Sequence, residues 1–95
     1  MSLTSKQRAY LRSLAVNEDT ILQLGKDGIT DSFINSVDIA ITAREIVKFK
    51  VLESAMMSVK DAADEVARKT GAQVVTVIGS KAVLYRRSDD NLLEL

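Results

Sequence analysis

Residues 73–87, QVVTVIGSKAVLYRR, constrain the fold more than any other part of the chain. Two branched, apolar runs are separated only by Gly79 and Ser80, and a two-residue loop with glycine first turns a strand straight back on itself. The runs are therefore expected to be antiparallel neighbours in a sheet. QVVTVIG is apolar at nearly every position, the pattern of a central strand covered on both faces.

The remaining segments alternate helix and strand. Thr4-Ser5-Lys6-Gln7 reads as a capping box and predicts a helix over about residues 5–15. Tyr10, Leu11, Leu14 and Ala15 form its apolar side, and Arg8 and Arg12 share another face. DTILQLG suits a strand ending at Gly25, after which Thr30 can cap a second helix carrying Ile34, Val37 and Ile41 on one side. IVKFKVL alternates strictly: Val47, Phe49 and Val51 should face inward, and Ile46, Lys48 and Lys50 mostly outward. Ser58 and Asp61 open a third helix with a stripe of Val59, Ala62, Ala63, Val66 and Ala67, ended by Arg68, Lys69 and Gly71. The predicted order is α-β-α-β-α-β-β, an α/β fold with a compact mixed four-stranded sheet and packed helices. At 95 residues this is one domain, expected over 1–88, with a loosely held tail over 89–95.

Composition narrows the chemistry. The chain has neither cysteine nor histidine, which excludes disulfides, thiol and histidine nucleophilic systems and the commonest metal ligands. Asp61, Asp64 and Glu65 are the residues an enzyme reading would use, but they read as a solvated helix face. No catalytic residue, metal site or cofactor is assigned. Thirteen basic and thirteen acidic residues cancel, so any basic footprint must come from segregation on the surface. The N-terminus lacks a signal-peptide pattern, and nowhere do ~18 apolar residues follow one another. A soluble, cytoplasmic monomer without membrane contact is expected.

Two glycines in LQLGKDGIT leave two readings open. Gly25-Lys26-Asp27-Gly28 is either a plain strand-to-helix turn, with Gly28 supplying a positive φ, or a loop whose missing side chains let the backbone approach a nucleic-acid strand. Lys26 would add a mobile charge, and Asp27 would point to solvent. The spacing is not that of a P-loop or a dinucleotide fingerprint. Lys48 with Lys50, Arg8 with Arg12, and Lys81 with Arg86 and Arg87 are further basic clusters that the fold could gather beside the loop.

LTSKQRAYLRSLA, LQLGKDGIT, AREIVKFKVL and TGAQVVTVIGSKAVLYRR occur in the order found in the CRM domain family (chloroplast RNA splicing and ribosome maturation), and the chain resembles its bacterial single-domain, YhbY-like members over about residues 3–87. The resemblance implies an RNA-binding domain with a fold similar to the C-terminal domain of translation initiation factor three. It also implies a role on precursors of the large ribosomal subunit, and RNA contact through the GxxG loop at Gly25, Lys26, Asp27 and Gly28. Arg8, Arg12, Lys48, Lys50, Lys81 and Arg86 are the expected supporting contacts. Ribosomal RNA is the expected partner, with ribosomal proteins as secondary ones. The alternative is a protein-interaction module that docks on a ribosomal protein or assembly factor.

Overall fold

The computed structural model describes residues 3–95; Met1 and Ser2 of the expected 1–88 domain lie outside the described residues. The elements are α1 (Ser5–Ala15), β1 (Thr20–Leu24), α2 (Asp31–Arg44), β2 (Ile46–Val51), a single 3-10 turn (Glu53–Ala55), α3 (Val59–Thr70), β3 (Gln73–Ile78) and β4 (Lys81–Tyr85). Each helix starts where its side-chain chemistry dictates. The Thr4 hydroxyl accepts the Gln7 amide at 3.1 Å, while Gln7 Oε1 accepts the Thr4 amide at 3.0 Å. Thr30 and Ser58 likewise accept the amides of Phe33 and Asp61, each at 3.0 Å. Such caps each contribute ~1 kcal/mol.

The four strands form one mixed sheet in the order β1-β2-β4-β3. β1 and β2 are parallel across the α2 crossover, and β4 runs antiparallel to both β2 and β3. The expectation that QVVTVIG is a central strand is corrected, because β4 folds back between β2 and β3 and leaves β3 at the edge with Val77 and Ile78 exposed. The central strands are β2 and β4, buried along most of their length. One face of the sheet packs Val47, Phe49, Val51, Ala82 and Leu84 against Val37 and Ile41 of α2 and Ala62, Ala63 and Val66 of α3. The other packs Ile46, Val75, Val83 and Tyr85 beneath Leu11 and Ala15 of α1, with Leu93 and Leu95 alongside.

Two further expectations change once that second layer is seen. Lys48 does not face solvent: it is 9% exposed, and its ammonium donates to the carbonyls of Ala15 at 3.0 Å and Glu18 at 3.4 Å. A cation thus satisfies the negative end of α1 from within the sheet. Nor is the tail loose. Glu45, in the left-handed region at φ 70° and fully buried, ends α2. Its carboxylate accepts the amides of Ser88 (3.0 Å), Leu92 (2.7 Å) and Leu93 (3.0 Å) as well as the Ser88 hydroxyl. Burial pushes this carboxyl up, but hydrogen bonds from the Ser88 hydroxyl and from the Leu93, Leu92 and Ser88 amides outweigh that and hold it at about 2. Burial, and then the neighbouring Glu45 charge, pushes the Tyr85 hydroxyl up, with Arg87 opposing.

Candidate nucleic-acid interface

β1 ends at the buried Leu24, and the chain then makes a tight turn in which the Gly28 amide donates to the Gly25 carbonyl at 3.0 Å. Lys26 and Asp27 occupy its corners, both exposed. Gly28 has φ +71°, so its glycine is required by conformation although a Cβ there would meet nothing. Gly25 is different. Its φ is ordinary, and a Cβ would only touch Leu52 Cδ1 and Ser54 Oγ at 3.7 Å, normal van der Waals distances. Neither the turn nor the packing requires glycine at residue 25.

Two other segments reach the same end of the sheet. The Leu52 amide donates to the Leu24 carbonyl at 2.9 Å, and the Val51 amide donates to the Ser80 carbonyl at 2.7 Å. The exit of β2 and the Gly79-Ser80 hairpin therefore sit beside the glycine turn. α1 covers its face of the sheet as far as Lys48 and Val83; the next residues on that face, Lys50 and Lys81, lie beyond it and are partly exposed. The ladder sets Gln23 opposite Lys50, Lys50 opposite Lys81, and Lys81 opposite Ile78, one transverse row across all four strands. Like charges directly opposed across a ladder are mildly destabilising, and among the described residues neither lysine has an ion-pair or hydrogen-bond partner.

The other cations show how unusual this row is. Arg44, Lys60, Arg68, Lys69 and Arg86 pair with carboxylates, Arg8 and Lys48 bond backbone carbonyls, and Arg87 donates to the Asn91 side chain at 3.1 Å. Among the described residues, Lys6, Arg12, Lys26, Lys50 and Lys81 have no partner, and three of these five stand at the glycine-turn end. The acidic residues Asp61, Asp64 and Glu65 lie on α3, where Asp64 and Glu65 engage its own lysines and arginine. Three exposed acids lie near the turn: Asp27 within it, Asp31 in the first turn of α2, and Glu53 between Leu52 and Ser54, whose side chains approach Gly25.

The residues expected at the interface thus divide. Gly25, Lys26, Asp27, Gly28, Lys50 and Lys81 come together. Arg12 is exposed on the flank of α1 turned away from the tail, whereas Lys6, Gln7 and Tyr10 line the groove against Leu93 and Leu95. Arg8 bonds the Val74 carbonyl and, at 3.4 Å, the Val75 carbonyl, closing part of the β3 edge. Lys48 is buried. Arg86 stands at the opposite end of the sheet, its guanidinium donating to Asp38 Oδ1, the Thr70 carbonyl and Thr42 Oγ1, each at 2.6 Å. Gln23, Ile78 and the 89% exposed Met56 were not signalled by the sequence; the register puts Gln23 and Ile78 at the two ends of the lysine row, and Met56 caps the 3-10 turn whose Ser54 approaches Gly25.

A sequence profile of the CRS1 / YhbY (CRM) domain matches residues 3–86. The chain belongs to this family. It is similar to the Probable RNA-binding protein YqeI of Bacillus subtilis, 37% identical over 89 residues that cover 94% of this chain and 93% of that one. It is also similar to a Haemophilus influenzae RNA-binding protein, 29% identical over 94 residues covering 99% and 95% of the two chains. The solution structure of SAV1595 from Staphylococcus aureus, described as a candidate RNA binder, superposes with a TM-score of 0.77 at 39% identity over 95% of this chain and 94% of that one. The mixed α/β architecture is therefore the CRM fold.

Proposed function

We propose that this chain is a non-catalytic RNA-binding protein of the cytoplasm that contacts ribosomal RNA in precursors of the large ribosomal subunit through its glycine-turn end. The observation that carries the reading is the gathering of Lys26, Lys50 and Lys81, three cations whose side chains have no partner among the described residues, around a turn whose Gly25 is required by neither conformation nor packing. Phosphate contacts from these lysines and from Arg12 set affinity and register, and the bare backbone at Gly25 allows close approach. The RNA-binding relatives support RNA as the partner class. Among the described residues no cluster of three or more acidic, cysteine or histidine side chains is arranged to hold a metal ion, and the α3 carboxylates Asp64 and Glu65 are paired with neighbouring cations.

The test is sedimentation of a gentle lysate with and without RNase. RNase-sensitive migration with particles slightly lighter than the mature large subunit supports the reading. The alternative, docking on a ribosomal protein or assembly factor, draws on the exposed Val77 and Ile78 at the β3 edge and on the zero net charge. It predicts cosedimentation with a protein after the RNA is digested.

A further inference from the structure

Resting on that reading, we infer the class of RNA that fits: a double-helical segment held along its sugar-phosphate backbone, not a single strand read by stacking. Single-strand binders lay successive bases on aromatic side chains, and this chain has four aromatic residues in all, with no tryptophan or histidine. Phe33 and Phe49 pack edge to face at 5.6 Å, and Phe49 is fully buried. Tyr85 lies buried under α1. Tyr10 is half exposed, but on the flank of α1 that lines the groove against the tail, away from the lysine row. Ile78, at the β3 end of the lysine row, and Met56, which caps the 3-10 turn whose Ser54 approaches Gly25, are exposed apolar side chains, and neither has a π face.

What the glycine-turn end does present is Gln23, Lys50 and Lys81 in one row, each a strand spacing of ~4.8 Å from the next. The Gly25–Gly28 turn stands beside them. Lysine ammonium groups are compact point charges that accept a phosphate whatever base it carries. The Gln23 amide can both donate to and accept from a 2′-hydroxyl. Duplex RNA displays phosphates and 2′-hydroxyls across its wide, shallow minor groove, and it is recognised mostly through them. The polar stretch of the row beside an approachable backbone turn matches that surface, and offers no aromatic face on which a splayed base can lie.

Full-length protein is titrated by fluorescence anisotropy with three probes: a roughly 20-base-pair RNA duplex, longer than the 36 Å molecule, one of its strands without self-complementarity, and the same duplex as DNA. The expected result is at least ~10-fold tighter binding of the RNA duplex than of either other probe, unchanged by Met56→Ala. Equal or tighter binding of the single strand overturns the inference while leaving RNA binding intact, and so does equal affinity for the DNA duplex. Failure to bind either RNA overturns the proposed function as well.

Discussion

Replacing Gly25 and Gly28 with alanine, one at a time, separates what the turn needs in order to fold from what it needs in order to bind. At Gly28 the backbone sits at φ +71°, where a Cβ costs roughly 1–2 kcal/mol. In a domain of this size each kcal/mol lowers Tm by about 4–8 °C. At Gly25 the φ is ordinary and the new methyl would rest 3.7 Å from Leu52 Cδ1 and Ser54 Oγ, so stability should stay within about 0.5 kcal/mol of the parent. Binding should respond in the opposite order of specificity. A backbone amide donating to a phosphate oxygen is a charge-assisted bond contributing about 1.5–3 kcal/mol, or roughly 10- to 150-fold in affinity, and a methyl at Gly25 would hold the phosphate away from it. Melting followed by circular dichroism and anisotropy titration with ribosomal RNA at fixed salt measure the two effects. Gly25→Ala is expected to melt as the parent does and bind at least ~10-fold more weakly. If it melts normally and binds within about twofold, close backbone approach at residue 25 is wrong.

Two predictions concern residues that hold the fold and not the interface. The Glu45 carboxyl is lowered from 4.5 to about 2, so its stabilisation is fully present above pH 4.5, and it is lost as pH falls from there toward 2. Glu45→Gln should lose about 2 kcal/mol of stability at pH 7 and most of the acid sensitivity in that window; hydrogen exchange of the Leu92 and Leu93 amides should rise, and a variant with unchanged exchange would contradict the docked tail. Arg86→Ala removes donors to Asp38, Thr42 and the Thr70 carbonyl and should cost about 1–3 kcal/mol in chemical denaturation without altering the salt dependence of RNA binding.

How far the sequence reveals the fold depends on whether the determining chemistry is local. The capping box at Thr4-Gln7, the caps at Thr30 and Ser58 and the Gly79-Ser80 hairpin all lie within a few residues, and all are legible. The position of β3 is not. Side-chain pattern reports that a strand is apolar, whereas its place in the sheet depends on which partner β4 finds on its other edge, and that partner is β2. The alternation of IVKFKVL suggests a solvent face because nothing nearby says that α1 returns to cover it. The long stem of Lys48 can lie under a helix while its ammonium meets the helix's last carbonyls. Glu45 went unread in the sequence, although an acidic residue at a helix C-terminus opposes the dipole and invites a special reason. That reason lies more than 40 residues away in the amides of Ser88, Leu92 and Leu93. The same distinction applies to the interface: Lys26 and its glycines are visible as a motif, while the opposition of Lys50 and Lys81 exists only in the β2–β4 register.

The most direct test of the glycine-turn end as the RNA surface is the salt dependence of ribosomal RNA binding for two triple variants. One replaces Lys26, Lys50 and Lys81 with alanine; the other replaces Lys60, Arg68 and Lys69 of α3, which pair with Asp64 and Glu65. Each lost phosphate contact reduces the slope of log K against log salt by about 0.7–0.9. The account predicts that the first variant flattens the slope by roughly 2–3, whereas the second leaves it as in the parent. Equal slopes for the two variants, or a larger change in the α3 variant, would contradict it.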